Sequence, residues 1–252
     1  MRISIVTATW NSAATLADTL RSVNVQDHRD VEHIIIDGGS TDATLSIIRE
    51  LGERITTVVS EPDEGIYDAM NKGIARAIGD IVGLLNSDDF YASPTVLSRV
   101  DAAFADPEVD IVYADLCYVA QDDASRVVRY WRSNPFRAGL FSQGWAPPHP
   151  TVFLRRSVYE RFGNFDLRFP VAADMELMAR LLEVHRLRAQ YVPEVFVHMR
   201  TGGASNRSLQ GIFQQNREIW RALHEHGLAA SPATFLLRKL LSRGGQFITR
   251  PS

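Results

Sequence analysis

The stretch Ile81–Phe90, IVGLLNSDDF, predicts a buried strand that ends in an acidic turn. Four of its first five residues are apolar, and turn formers follow at Asn86, Ser87, Asp88 and Asp89. A short apolar run bounded in this way is typical of a strand that is buried on both faces. The acidic pair therefore lies at the carboxyl end of the strand, which is where ligands bind in open α/β sheets.

The pair Asp88 and Asp89 places two like charges next to each other. Adjacent carboxylates repel each other, and each raises the pKa of the other unless a cation lies between them. A hard divalent ion such as Mg²⁺ or Mn²⁺, bound by one or two carboxylates and by substrate phosphates, relieves this repulsion. A solvated turn that caps the next helix is the alternative, and this stretch alone leaves both interpretations open.

The composition of the 252 residues is that of a globular protein, with 45% hydrophobic and 23% charged residues. The formal net charge of −3 gives no basic field for nucleic acid. A single cysteine, Cys117, excludes an internal disulfide and agrees with a reducing cytoplasm. The first residues, MRISIVTATW, are too polar for a signal peptide, and no run reaches the roughly 18 apolar residues of a membrane span. We therefore expect a soluble, cytoplasmic protein.

Apolar, β-branched runs alternate with helical patterns along the first part of the chain. This alternation predicts βαβ units and a mostly parallel sheet whose polar loops open on one edge. The first of these loops is Thr7–Asn11, and Asn11 or Ser12 is expected to cap the helix that follows. The predicted strands are Arg2–Val6, Val31–Ile36, Ile55–Val59, the strand within Ile81–Phe90, and Asp110–Tyr113.

The pattern changes after the fifth predicted strand. Leu116–Val119 and Arg126–Trp131, separated by polar residues, indicate an antiparallel hairpin. Asp174 comes just before a predicted helix, Met175–Glu183, and His198–Ser205 has the composition of a mobile loop. Two helices are expected to follow, the first with Leu209, Phe213, Trp220 and Leu223 on one face. These elements favour one domain, residues 1–205, with a C-terminal helical extension, residues 206–252.

Five motifs occur in a recognisable order, and a set of five is more specific than any one of them. They are TATWN (7–11), IIIDGGSTD (34–42), EGIYDAMNKG (64–73), LLNSDD (84–89), and GNFD (163–166) with ADMEL (173–177). In this order they resemble the bacterial family 2 inverting glycosyltransferases, most closely the branch that builds capsular and exopolysaccharide repeat units. The resemblance implies a glycosyltransferase-A fold, which is a mostly parallel, Rossmann-like sheet with a small antiparallel region on the acceptor side. It also implies a nucleotide-diphosphate sugar donor and a divalent metal, Mn²⁺ or Mg²⁺.

The resemblance also implies roles in donor binding. Asp37 matches the acid that contacts the nucleobase or ribose, and the segment with Thr7, Ala8, Thr9 and Asn11 matches the lining of the base pocket.

Asp88 and Asp89 match the metal and diphosphate motif, in which Asn86 stands where a first Asp often does and Ser87 follows it. The chain therefore carries one charge fewer than the fuller motif, which leaves open which carboxylate binds the metal. Asn71 and Lys72 match a polar pair near the donor, although Lys72 also fits a simple ion pair with Asp68 one helical turn away.

Asp174 matches the catalytic base of the acceptor half. Sugar transfer independently requires carboxylates that bind a metal ion, because a leaving nucleoside diphosphate develops negative charge that a divalent ion stabilises. The acceptor hydroxyl loses its proton as the new bond forms on the opposite face of the sugar, and one carboxylate base suits this inverting displacement.

Several of these residues also fit simpler roles. Asp37 fits a turn before two glycines, and Asp174 fits a helix N-cap. His149 and His198 are second candidates for contact with the diphosphate or metal, with a structural role as the alternative. Arg200, close to two glycines, is a candidate lid over the donor phosphates or an ordinary residue of a surface loop.

The expected activity is transfer of a sugar to a hydroxyl of a saccharide or lipid-linked saccharide in surface polysaccharide synthesis. A sugar nucleotidyltransferase is one alternative, but its Gly-rich phosphate loop is absent from Thr7–Asn11. A catalytically silent protein that binds nucleotide sugars is another.

The tail after Glu225 has no acid and mixes basic with apolar residues. Such a segment suits peripheral contact with the inner face of the plasma membrane, where a lipid-linked acceptor would be found. A helix packed on the domain, or on a second copy in a homodimer, is the alternative. The basic residues are Arg238, Lys239, Arg243 and Arg250.

Overall fold

The computed structural model describes residues 1–202 and 209–228. Its strands are β1 (Ile3–Thr9), β2 (Val31–Asp37), β3 (Ile55–Ser60), β4 (Ile81–Leu84), β5 (Phe90–Tyr91), β6 (Ile111–Val119), β7 (Val127–Trp131), β8 (Phe153–Arg155) and β9 (Ala189–Arg200). Its α-helices are α1 (Leu16–Asn24), α2 (Thr44–Leu51), α3 (Ile66–Ile74), α4 (Val96–Ala103), α5 (Arg156–Phe162), α6 (Ala173–Ala179) and α7 (Leu209–Glu225). A π-helical turn, Arg180–Val184, continues α6.

The strands form one nine-stranded sheet in the order β3-β2-β1-β4-β8-β6-β9-β5, with β7 paired to β6. Strands β3, β2, β1 and β4 are parallel neighbours, and Thr9 of β1 lies opposite Asp37 of β2. Both faces of β1 and β4 are buried, as their continuous apolar sequences predict. The predicted α/β architecture is therefore confirmed, and the loops after these four strands open on the same edge.

The second half of the sheet mixes strand directions. Strand β8 runs antiparallel to both β4 and β6, whereas β9 runs parallel to β6. Strand β6 is continuous, although the sequence predicted two separate strands around Asp115. That carboxylate is buried and accepts hydrogen bonds from the Tyr191 hydroxyl (2.7 Å) and the Ser133 backbone N–H (2.7 Å). A polar residue that interrupts the apolar pattern here is satisfied inside the fold, so the strand does not end.

Two strand ends also differ from the prediction. Strand β1 continues to Thr9, and β9 continues to Arg200, so His198 belongs to a strand and not to the predicted loop. The very short strand β5 pairs Phe90 with His198 and was not predicted, because two residues carry no periodicity. Residues 203–205 of the predicted loop lie outside the described residues.

Helix α7 exists as predicted, and Leu223 of its predicted face is buried, but the two aromatic residues of that face are exposed. Phe213 is 70% exposed and Trp220 36% exposed, whereas Ile219, Ala222 and Leu223 are buried. The aromatic residues gave the stronger sequence signal, but the contact with α6 uses the face that contains small Ala222. The second predicted helix and the basic tail residues lie outside the described residues. None of the helices within residues 1–202 and 209–228 has the length and apolar character of a membrane span.

Helix α3 packs closely on β1 at Gly73, so a larger residue at this position is expected to lower stability. A Cβ at Gly73 would overlap the Cγ1 atom of Val6, which is 1% exposed. We expect Gly73→Ala to lower the free energy of unfolding by about 1–3 kcal/mol, although Ala is the better helix former. Urea denaturation measures this loss, and Val6→Ala in the same chain is expected to restore part of it. A Gly73→Ala variant as stable as the wild type would contradict the contact.

Candidate functional site

The loops after β1 and β2 are joined at the carboxyl edge of the sheet. The Asn11 backbone N–H donates to Ser40 Oγ (2.8 Å), and Asn11 Oδ1 accepts the Thr41 N–H (2.9 Å). Asn11 has a φ of 47°, a left-handed conformation that asparagine tolerates better than most residues. Asn11 therefore fixes two loops against each other and does not cap a helix.

The loop after β4 is joined to the same unit. Ser12 Oγ and Ser87 Oγ lie 2.8 Å apart, and the Thr15 hydroxyl donates to the Ser87 carbonyl (2.9 Å). Helix α1 begins at Leu16 with Thr15 at the N-cap position, so the predicted cap at Ser12 is wrong. The segment before the helix is used instead to bind the loop that carries Asp88.

Asp37 is fully buried and holds its own loop together. Its carboxylate accepts hydrogen bonds from the N–H groups of Gly39 (3.2 Å) and Ser40 (3.0 Å) and from the Ser60 hydroxyl (2.6 Å). The Ser40 hydroxyl donates to it as well. These contacts correspond to the turn role, and direct contact between this carboxylate and the donor stays a prediction.

The first motif is mostly a strand and not a loop. Thr7 and Thr9 lie within β1 and are buried, and Thr7 Oγ1 lies 3.0 Å from His33 Nε2. Ala8 is 7% exposed, which leaves its side chain in the core. These side chains therefore pack inside the fold, and lining of a base pocket by this segment stays a prediction. Trp10, at 67% exposure, and Asn11 are the residues of this motif that reach the edge.

Asp63 was missed as a site residue, and the structure places it at this edge. Its Oδ1 accepts the Gly65 N–H (2.9 Å). A Cβ at Gly38 would lie 2.5 Å from Asp63 Oδ2 and 3.5 Å from Trp10 Cδ1. The absence of a side chain at Gly38 thus makes room for a carboxylate beside an exposed indole. The position of Asp63 just after a parallel strand was the available sequence signal.

The acidic pair splits into a buried and a partly exposed carboxyl. Asp89 is fully buried, the Asn86 amide donates to its Oδ2 (3.0 Å), and its carbonyl accepts the Thr19 hydroxyl (2.7 Å). Burial, together with the charge of Asp88, holds the pKa of Asp89 well above its usual range. Burial and the raised pKa favour the neutral form of Asp89 and a structural role, and its role as a metal ligand stays a prediction. Asp88 is partly exposed.

Arg200 fixes the Asp88 loop from the end of β9. Its guanidinium donates to the Asp88 carbonyl (2.9 Å) and pairs with Asp18, and the residue is 7% exposed. In this structure Arg200 is thus held by the Asp88 carbonyl and Asp18, and a lid over the donor phosphates stays a prediction. His198 packs edge-on against Phe90 with ring centroids 5.3 Å apart, and burial lowers its pKa. These contacts give His198 a structural role.

The residues present fit a metal ion that is shared with a substrate. In the part of the chain that the structure describes, no three His, Cys, Asp or Glu side chains form a metal cluster. Of the acidic pair, Asp88 is the carboxylate that is partly exposed at the ligand edge. Mg²⁺ and Mn²⁺ are commonly bound in this way, by one or two carboxylates together with substrate phosphates.

Asp174 is brought to the same edge by Tyr67. The Tyr67 hydroxyl donates to Asp174 Oδ1 (3.0 Å), and Tyr67 lies in the first turn of α3, directly after the loop that carries Asp63. Burial, then the charge of Asp174, raises the pKa of Tyr67 well above its usual value. Ala172 occupies the N-cap position of α6, so Asp174 is not its N-cap. The sequence analysis did not single out Tyr67.

His149 lies in the same cluster. Its ring packs edge-on against Phe165 (5.6 Å between centroids), and Phe165 packs against Tyr67 (5.2 Å). Burial lowers the pKa of His149, and the negative charge of Asp174 offsets part of this shift. The lowered pKa favours a neutral His149 near Asp174, and its contact with the diphosphate or metal stays a prediction.

Asn71 and Lys72, on α3, bind neighbouring loops of the site. The Asn71 amide donates to the Phe165 carbonyl (2.9 Å) and accepts the Phe165 N–H (3.0 Å). Lys72 Nζ contacts the Pro62 carbonyl (3.0 Å) and pairs with Glu61 and Asp68 (3.2 Å each). Both side chains hold loops in this structure, and their contact with the donor stays a prediction.

Comparison with known proteins places this arrangement in a family. The model of glycosyl transferase family 2 matches residues 4–162. An uncharacterised glycosyltransferase of Mycobacterium tuberculosis is 34% identical over 181 residues, which cover 71% of this chain and 68% of that protein. A PGL/p-HBAD biosynthesis glycosyltransferase of Mycobacterium bovis is 33% identical over 217 residues, or 81% of this chain and 78% of that protein.

Solved structures show the same fold. TarS 1–349 of S. aureus superposes with a TM-score of 0.67 at 17% identity, covering 96% of this chain and 72% of that chain. The mannosyltransferase PcManGT of Pyrobaculum calidifontis, solved with GDP-Man and Mn²⁺, gives 0.62 at 22% identity and covers 100% and 76%. The expected glycosyltransferase-A fold is confirmed, and the chain belongs to glycosyl transferase family 2.

Proposed function

We propose that this glycosyltransferase is a metal-dependent inverting enzyme, which moves a sugar from a nucleotide-diphosphate donor to a hydroxyl of a saccharide or lipid-linked saccharide. One observation carries the proposal. The Tyr67 hydroxyl, in the first turn of α3, donates to Asp174, and the loop that carries Asp88 is joined to the segment after β1. These contacts support a base at Asp174 and a metal ligand at Asp88 that would face one cleft.

The donor half would bind base and diphosphate separately. Trp10 offers an exposed ring for stacking on a nucleobase, and Asp63 offers a carboxylate that accepts N–H groups from it. Structural neighbours support a donor of this class, since TarS was solved with UDP and with UDP-GlcNAc and PcManGT with GDP-Man. The diphosphate would then lie toward Asp88.

Asp88 would hold the metal ion together with the diphosphate. A bound divalent ion supplies charge stabilisation for the leaving nucleoside diphosphate. Arg200 and Ser87 keep the Asp88 loop in position through its backbone and through Ser12. Because Asp88 is the partly exposed carboxylate of the acidic pair, we expect metal and donor to bind cooperatively.

Asp174 would act as the general base on the acceptor hydroxyl. A carboxylate positioned on the face opposite the leaving group fits single displacement with inversion. The Tyr67 hydroxyl donates to one carboxylate oxygen, which orients the side chain. Neutral His149 lies beside it without adding a competing charge.

The acceptor class follows from the resemblance and from one relative. The M. bovis relative is named as a PGL/p-HBAD biosynthesis glycosyltransferase, which supports an acceptor that belongs to a cell-surface glycoconjugate. Synthesis of a surface polysaccharide, peripheral contact with the membrane and a homodimer stay predictions, since the tail lies outside the described residues.

The base assignment predicts a loss of transfer with donor binding retained. Asp174→Asn keeps the shape of the side chain but removes the basic oxygen, so we expect the transfer rate to fall about 100- to 10,000-fold. Donor affinity, measured by calorimetry, is expected to stay the same. An active Asp174→Asn variant would reject the assignment. A wild-type chain that binds donor but releases no nucleotide with any acceptor would indicate a silent binding protein.

Because Asp89 is buried and Asp88 is partly exposed, we expect opposite results when each is replaced by asparagine. Asp88→Asn is expected to abolish the stabilisation that a nucleoside diphosphate with Mn²⁺ gives in a thermal-shift assay. Asp89→Asn is expected to keep it, because an amide replaces a carboxyl group that is already neutral. Equal losses in both variants would contradict the assignment of Asp88 as the metal ligand.

The raised pKa of Asp89 also predicts a pH effect on stability. Above the usual pKa of 3.8, the unfolded chain has released a proton that the folded protein still holds, so rising pH lowers stability up to the folded pKa. Asp89→Asn lacks this dependence. We therefore expect its Tm, relative to that of the wild type, to increase as the pH is raised from about 4. A difference that is constant with pH would contradict the buried neutral state.

A further inference from the structure

Helix α7 contributes a buried carboxylate to the segment that carries Asp174. Glu218 is 7% exposed, and its Oε2 accepts the N–H groups of Val171 (2.8 Å) and Ala172 (3.1 Å). Its Oε1 accepts the side-chain amide of Gln214 (3.0 Å). Both oxygens are therefore in use, and the carboxylate is held in one orientation.

These bonds matter because the segment has no acceptor of its own for its N–H groups. Ala172 is the N-cap residue of α6, and Met175 at the N3 position cannot accept the Ala172 N–H as the Glu or Gln of a capping box would. Buried N–H groups without an acceptor are costly. Glu218 supplies the acceptor from a helix that is 46 and 47 positions away in the sequence.

The same segment is held from the other side by α3. The Tyr67 hydroxyl donates to Asp174 Oδ1 (3.0 Å) and lies 3.4 Å from the Val171 carbonyl. Residues 171–174 are thus fixed between Tyr67 on α3 and Glu218 on α7. Asp174 is the second residue of α6, two positions after the last N–H that Glu218 binds.

A second contact holds the two helices together further along. Glu176 is 3% exposed, and its Oε1 contacts both Arg180 Nε (2.8 Å) and His226 Nε2 (2.8 Å). Helix α7 is therefore attached to α6 at both ends of their contact, with Ile219, Ala222 and Leu223 buried between. This arrangement limits rotation of α6 about its own axis.

We propose that Glu218 is a positioning residue for Asp174, so that α7 completes the acceptor half of the site. The inference rests on the proposed role of Asp174 as the base. It places a functional residue beyond the predicted domain boundary at 205. General-base catalysis depends on placement of the base within a fraction of an ångström, and small misplacements cost large factors in rate.

The test compares Glu218→Ala and Glu218→Gln in the full chain. For Glu218→Ala we expect kcat to fall about 10- to 100-fold, while the donor Kd and the donor KM stay within about twofold. Glu218→Gln keeps one acceptor oxygen for the two N–H groups, so we expect it to recover part of the loss. Donor affinity is measured by calorimetry and kcat by nucleotide release with a saturating acceptor.

Leu223→Ala serves as the matched control. It removes core contacts from α7 but leaves the Glu218 carboxylate with its hydrogen bonds to Val171 and Ala172, and Leu223 is 2% exposed in the wild type. Assayed well below the Tm of each variant, it is expected to lose stability but to keep kcat within about threefold. If Leu223→Ala loses as much kcat as Glu218→Ala, or if Glu218→Ala is fully active, Glu218 has only a structural role.

Asp174→Asn separates this inference from the proposed function. If that variant is as active as the wild type, the proposed base is wrong and the inference fails with it. If it is inactive while Glu218→Ala behaves like Leu223→Ala, the proposed function stands and only the positioning role is overturned.

Discussion

The hydrogen bond from the Tyr67 hydroxyl to Asp174 Oδ1 joins the two halves of this molecule. Tyr67 belongs to α3, which packs on the parallel strands that carry the donor loops. Asp174 belongs to α6, on the other half of the chain. This contact would place the proposed base, Asp174, beside the proposed donor site on the parallel part of the sheet. The tyrosine is buried beside Asp174, which raises its pKa and keeps it a donor at neutral pH.

Many polar residues of the five sequence motifs hold loops in place. The Asp37 carboxylate closes its own loop, the Asn71 amide binds the backbone of Phe165, and Lys72 holds the loop after β3 against α3. Asp89 and Arg200 do the same for the loop that presents Asp88. These polar side chains are buried or occupied, and a buried polar group stabilises a fold when its partners are present. At this edge of the sheet, the Trp10 side chain is exposed, and Asp63 and Asp88 are partly exposed.

The sequence predicted the architecture better than the orientation of side chains. Apolar, β-branched runs that alternate with amphipathic helices indicate parallel strands because burial on both faces requires that composition. The prediction of strand ends was wrong at Asp115, because a buried polar residue inside β6 resembles the end of a strand in the sequence. The predicted face of α7 was also wrong in part, because exposed Phe213 and Trp220 outweighed the smaller residues that pack. Two adjacent acids at a strand end look alike in sequence, and only tertiary contacts decide that Asp89 is buried and Asp88 is not. Contacts such as those of Tyr67 and Glu218 join residues far apart in the chain, so no local pattern reveals them.

The central claim is that one cleft holds a metal-bound donor at Asp88 and a base at Asp174. A crystal structure of the chain with a nucleoside diphosphate and Mn²⁺, measured at a wavelength where manganese scatters anomalously, tests it most directly. We expect one anomalous peak within coordination distance of the Asp88 carboxylate and the diphosphate. Asp89 is expected to bind no metal ion, and Asp174 is expected to face the same cleft. A peak on Asp89, or a donor bound at a site from which Asp174 points away, would contradict it.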